Sequence, residues 1–162
     1  MRQPELSLDL GGEAATTRLG SLLAETIPQE SKELLLTLQG ELGAGKTSLA
    51  RALIRSLGAA GPVRSPTYTL VEPYDLPRGR VLHLDLYRLS GGEELDLVGY
   101  RDLRAGSLLV LVEWPERAGE ALGAADLEAE LSYRGNGRQL LLRAGTSAGQ
   151  AWLDGLAIRL GS

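Results

Sequence analysis

The segment Leu34–Ala50, LLLTLQGELGAGKTSLA, admits few folds. An apolar run enters a turn that holds Gly40, Gly43 and Gly45, and a helical pattern follows at Leu49, Ala52, Leu53 and Leu57. This predicts a strand over 33–39 and a helix over 47–57, closed by AAGP at 59–62, where glycine and proline stop helices. Residues Gly40 to Thr47 fit G-x-x-x-x-G-K-[ST], the P-loop pattern, in the strand–turn–helix setting it requires. Glycines let successive N–H groups turn inward around a phosphate, and the positive end of the helix faces the same anion. Lys46 suits the β- and γ-phosphates, and the Thr47 hydroxyl suits Mg2+, a hard ion that prefers oxygen. Nucleotide contact is therefore expected of Glu41, Leu42, Gly43, Ala44, Gly45, Lys46, Thr47 and Ser48. The plainer alternative is a glycine turn without a ligand. The motif alone does not separate ATP from GTP, or a hydrolase from a kinase.

The remaining pattern places this unit in an α/β domain. Leu19, Leu22, Leu23 and Ile27 mark one face of a helix over 13–27. TYTLVEPY (67–74) and RVLHLDLY (80–87) read as strands around a DLPRG turn, and 92–98 as a short helix. SLLVLVEW (107–114) is nearly continuous in apolar residues, which suits a strand buried on both faces. Residues 127–144 read as a hairpin turning at RGNG, and 147–160 as a closing helix. Strands and helices interleave, so residues 1–162 are expected to form one P-loop NTPase-type domain, a central mixed sheet flanked by helices.

Composition narrows the function classes. The net charge of −4 lacks the basic excess of a general nucleic-acid binder. There is no cysteine, hence no disulfide or thiolate metal site, and the single histidine, His83, cannot build a histidine cluster. The N-terminus has no apolar core of the secretory type, and no apolar run reaches the roughly 18 residues of a membrane span. A cytoplasmic protein is the expectation.

P-loop enzymes also need an acid at the end of a neighbouring strand to hold the Mg2+ shell. Asp85 and Glu113 each follow an apolar run, where a strand delivers a side chain to the carboxyl edge of the sheet. The alternative for either is a solvated strand-end acid, which would contribute little to the core. No N-K-x-D sequence for reading guanine is present, which favours ATP. VRSPTYTLVEPY (63–74) occupies the place of a γ-phosphate-sensing switch, with Ser65, Thr67 and Thr69 supplying hydroxyls; an ordinary sheet edge is the alternative. No arginine finger stands out, Arg64 being the nearest candidate.

GELGAGKT, SPTYTLVEPY, HLDLYRL and EWPER, in this order and at these spacings, resemble the TsaE family, the bacterial ATPases of tRNA threonylcarbamoyladenosine biosynthesis. The resemblance spans about residues 13–144. It implies an ATPase that works with TsaB and TsaD. TsaD assembles the modified adenosine at position 37 of tRNAs reading codons that begin with A, and the ATPase helps the complex turn over. It implies that Lys46 holds phosphate, that Thr47 and Glu113 bind Mg2+, and that Asp85 serves hydrolysis by placing water or a metal-bound water. It puts Trp114 beside the nucleotide, against the alternative of a core tryptophan, and the adenine near Glu13–Thr17, with Thr16, and Arg138. It makes Ser65–Leu70 the switch and tRNA an indirect partner. Two other readings compete: a small P-loop kinase, for which Arg101 and Arg104 are a poor lid, and a nucleotide-gated binding module.

Overall fold

The structure, a computed structural model, describes residues 3–64, 66 and 69–161. Its strands are β1 (Glu5–Leu10), β2 (Leu34–Gly40), β3 (Val71–Leu76), β4 (Gly79–Asp85), β5 (Leu109–Glu113), β6 (Leu127–Arg134) and β7 (Gly137–Ala144). Its helices are α1 (Glu13–Thr26), α2 (Lys46–Ser56), α3 (Glu93–Leu97), α4 (Tyr100–Arg104) and α5 (Ser147–Leu160), with 3-10 turns at Pro115–Arg117 and Gly119–Leu122. The α/β expectation, with a mixed sheet, a late hairpin and a closing helix, holds. β1 and α4 were not expected. The β3–β4 turn is tighter than DLPRG, only Pro77 and Arg78 lying between the strands.

The sheet runs β1-β7-β6-β2-β5-β4-β3. Its centre is parallel, β2 pairing with both β5 and β6, and β4 with β5; β1, β7 and β3 join antiparallel. The parallel strands are covered on both faces, which is why β5 is buried from end to end.

Side chains alternate across a strand, so each strand feeds two cores. Leu34, Leu36 and Leu38 of β2, Leu109 and Leu111 of β5 and Val81 of β4 join one core with α1, α2 and α5. Leu35, Val110, Val112, Leu82 and Leu84 join the opposite core with Leu95, Tyr100 and Leu122. Period two then carries His83, Asp85 and Glu113 onto the α2 side, and the β4–β5 register sets Asp85 directly beside Glu113. α1 packs closely on α2 at Gly20, where an added Cβ would lie 2.5 Å from the Ala52 Cβ. Trp152 of α5 is fully buried and donates its ring N–H to the Leu23 carbonyl at 3.0 Å. No helix among the described residues is long and apolar enough to cross a membrane.

Candidate functional site

The glycine loop is built by its backbone. Gly43 (φ 80°) and Gly45 (φ 105°) adopt left-handed conformations that favour glycine, and Gly45 caps α2. Gly40 serves by size as well, since a Cβ there would meet the Leu131 carbonyl oxygen at 2.5 Å. The first N–H groups of α2 have no partner within the helix and concentrate positive potential at Lys46–Ser48. The C-terminal hairpin clasps this loop. Tyr133 donates its hydroxyl to the Leu42 carbonyl at 3.0 Å, and Arg138 lies 4.1 Å from the Tyr133 ring centre and reaches the Gly43 carbonyl at 3.4 Å.

Below the loop, the Thr47 hydroxyl donates to Glu113 Oε1 at 2.6 Å. Glu113 is only 2 % exposed, and its other oxygen accepts from His83 Nε2 at 2.7 Å. The structure thus couples Thr47 to Glu113. The idea of Glu113 as a solvated strand-end acid fails, because it is buried and bonded on both oxygens. Asp85 accepts from the Tyr87 N–H at 3.0 Å. Burial pushes its carboxyl above the usual carboxylate range, and neighbouring Glu113 adds to this, while the Tyr87 N–H, His83 and Lys46 oppose it.

Lys46 is buried, donates to the Gly40 and Glu41 carbonyls, and lies 3.8 Å from the centre of the Trp114 ring. Burial pushes its ammonium down, against Glu113, Glu116 and Asp85, which favour the charge. Trp114 takes a left-handed backbone (φ 57°), a conformation that costs a non-glycine residue about 1–3 kcal/mol. That turn ends β5 and brings the indole to the site, 5.0 Å from the Tyr87 ring. A cavity of about 420 Å³ opens here, lined by Lys46, Thr47, Asp85, Arg88, Glu113 and Trp114 among others. A second, of about 700 Å³, lies between α1, α2 and the hairpin and includes Thr16, Thr17, Arg51 and Arg138; Ser48 lines both.

Comparison with known proteins gives the same direction. Residues 10–140 match the family model for "Threonylcarbamoyl adenosine biosynthesis protein TsaE". The chain belongs to the TsaE family. A Haemophilus influenzae protein named tRNA threonylcarbamoyladenosine biosynthesis protein TsaE is 38% identical over 140 residues, covering 85% of this chain and 89% of its own. A Nostoc protein of the same name is 39% identical over 111 residues, 67% of each chain. Among solved structures, Bacillus subtilis YdiB superposes with a TM-score of 0.82 over 98% of both chains at 22% identity, a likeness of fold.

Within this TsaE-family frame, the glycine loop, Lys46, Thr47, Asp85, Glu113 and Trp114 converge on one edge of the sheet. Thr16 and Arg138 meet in the adjoining cavity, next to Ser48. Ser65 and Thr67 lie outside the described residues. Thr69 donates to Glu72 at 3.4 Å, and Leu70, at φ 67°, accepts from the Asp85 N–H at 3.2 Å, so the switch-like segment ends on the backbone of an acid of the site. The Arg64 backbone, on both its N–H and its carbonyl, bonds the Tyr74 hydroxyl. Arg104 does not face the site: it donates to the Leu122 and Glu33 carbonyls beyond the start of β2, at the far edge of the sheet. Sequence reasoning missed His83 and Tyr133. His83 had a signal, standing two residues before Asp85 and hence on its face of β4. Tyr133 had none, because its partner is 91 residues away.

Proposed function

We propose that this TsaE-family protein is a Mg2+-dependent ATPase of the machinery that makes N6-threonylcarbamoyladenosine at position 37 of tRNAs reading codons beginning with A. It acts in the cytoplasm with TsaB and TsaD and supports turnover of the complex, not carbamoyl transfer. The observation that carries the reading is the 2.6 Å bond between Thr47, the first hydroxyl of α2, and the buried carboxylate of Glu113. A loop hydroxyl paired with a strand-end carboxylate is a donor set suited to Mg2+ that also holds nucleotide phosphates. Among the described residues no three His, Asp or Glu groups gather as a protein-only metal cage, so Thr47 and Glu113 would hold the ion together with the nucleotide's own oxygens.

Mg2+ neutralises charge on the phosphates when bound. The chain's residues do the rest. The N–H groups of Gly43–Ser48 and the α2 terminus hold the phosphates, and Lys46 leaves its carbonyl partners to meet the β- and γ-oxygens. Asp85, beside Glu113 and held by the Tyr87 N–H, orients the attacking water. Thr16 and Arg138 flank the base in the cavity next to Ser48. Arg104 at the opposite edge supports an ATPase over a kinase with an arginine lid.

The test is steady-state phosphate release by the protein alone, with tRNA, and with TsaB and TsaD. Slow release alone, unmoved by tRNA and raised by the two proteins, is expected. A high rate indifferent to them, or phosphate transfer to a small acceptor, would defeat the reading.

A further inference from the structure

His83 is the one buried titratable side chain of the site with no part in the chemistry above. It is fully buried on β4, with Nε2 2.7 Å from Glu113 Oε2. A carboxylate only accepts, so Nε2 carries the hydrogen. Nδ1 has no hydrogen-bond partner among the described residues. The imidazole therefore makes a single directed bond, and it points at Glu113. Glu113 in turn has one oxygen on His83 and the other on the Thr47 proton. With its proton committed to Oε1, Thr47, which lines the cavity, keeps its lone pairs for a ligand.

We propose that His83 is the positioning residue of the metal site: its bond to Oε2 fixes the carboxylate of Glu113 with Oε1 on Thr47, the pair that would hold the cation. Without that bond Glu113 would rotate, and both Oε1 and the Thr47 hydroxyl would lose their setting. Partners that hold a ligating carboxylate from behind typically change metal affinity by about 10–100-fold when removed. This rests on the reading of Thr47 and Glu113 as Mg2+ ligands.

The test compares wild type, His83→Leu and His83→Gln, whose amide offers a donor near the place of Nε2. Trp114 fluorescence reports ADP binding in EDTA and across a Mg2+ titration. His83→Leu should raise the Mg2+ midpoint about 10–100-fold while the EDTA affinity changes less than about twofold. His83→Gln should recover most of that loss. If the leucine variant does not fold, His83→Gln and the shorter His83→Asn carry the comparison, glutamine restoring the midpoint and asparagine failing. Independently, the chain has a single histidine, so one imidazole Nε2–H signal is expected in 15N-edited NMR, shifted by Glu113→Gln. Absence of that signal, or equal midpoints in all variants of a protein whose wild type responds to Mg2+, overturns the proposal. A wild type blind to Mg2+ with the NMR signal intact defeats the ATPase reading and the metal role of His83 with it, leaving only the contact.

Discussion

The Lys46 ammonium lies 3.8 Å from the centre of the Trp114 ring, so the cation of the glycine loop and the aromatic beside it are one contact. An anion that draws Lys46 out of the loop must change the surroundings of the indole. Nucleotide should therefore shift Trp114 emission, and Trp114→Phe should abolish the shift. Trp152, the other tryptophan, is fully buried against Leu23 and should stay silent. Titration of both proteins with ADP decides it; a surviving signal would move the reporter to Trp152.

Lys46→Met should weaken nucleotide binding by about 10–100-fold, the loss of a charge-assisted hydrogen bond of about 1.5–3 kcal/mol. The same change should raise or leave unchanged the melting temperature at neutral pH, because it removes a buried ammonium. Burial holds the native Lys46 below 10.5, so between that lowered value and 10.5 the unfolded chain binds more protons. Wild-type stability from this group therefore rises with pH in that window. The advantage of the variant should shrink as pH approaches 10.5, as scanning calorimetry would show.

Asp85→Asn should abolish hydrolysis yet stabilise the fold at pH 7. The native carboxyl titrates above 3.8, so just above 3.8 the folded state holds more protons and stability falls as pH rises. Above the lifted native value that cost is fully present, and the amide removes it while keeping an oxygen for the Tyr87 N–H. The melting temperatures of variant and wild type should converge as pH falls toward 3.8. Equal stability at pH 7 would count against burial as the dominant influence on Asp85.

Gly20→Ala should cost about 1–3 kcal/mol through overpacking of α1 against Ala52. Because α1 and α2 wall the larger cavity, the same substitution should weaken binding of adenosine nucleotides more than of inorganic pyrophosphate. Denaturant melts and competition titrations measure the two effects; equal loss for both ligands would remove the base from that cavity.

Much of this was legible in the chain. The glycine loop announces itself because every constraint on it is local: left-handed glycines, a strand before and a helix after. Asp85 and Glu113 were visible as acids closing apolar runs, but not which of them Thr47 touches. That depends on the β2–β5–β4 order, which joins residues far apart in sequence. β1 was overlooked although Leu6, Leu8 and Leu10 alternate with Glu5, Ser7 and Asp9, a half-buried edge pattern. The strain at Trp114 and Leu70 left no trace, because neither residue type favours a positive φ.

The order of the strands also sets when the site comes into being. β2 sits between β5 and β6, so the strand that carries the glycine loop is made early and its neighbours late, Leu34 pairing with Leu109 and Leu36 with Leu127. At about 5–20 residues per second of synthesis, β2 waits several seconds for its partners. The loop carbonyls of Leu42 and Gly43 wait longer, until Tyr133 and Arg138 have left the ribosome. A nascent chain carrying the complete glycine motif therefore still lacks both contacts by which the last hairpin holds the loop.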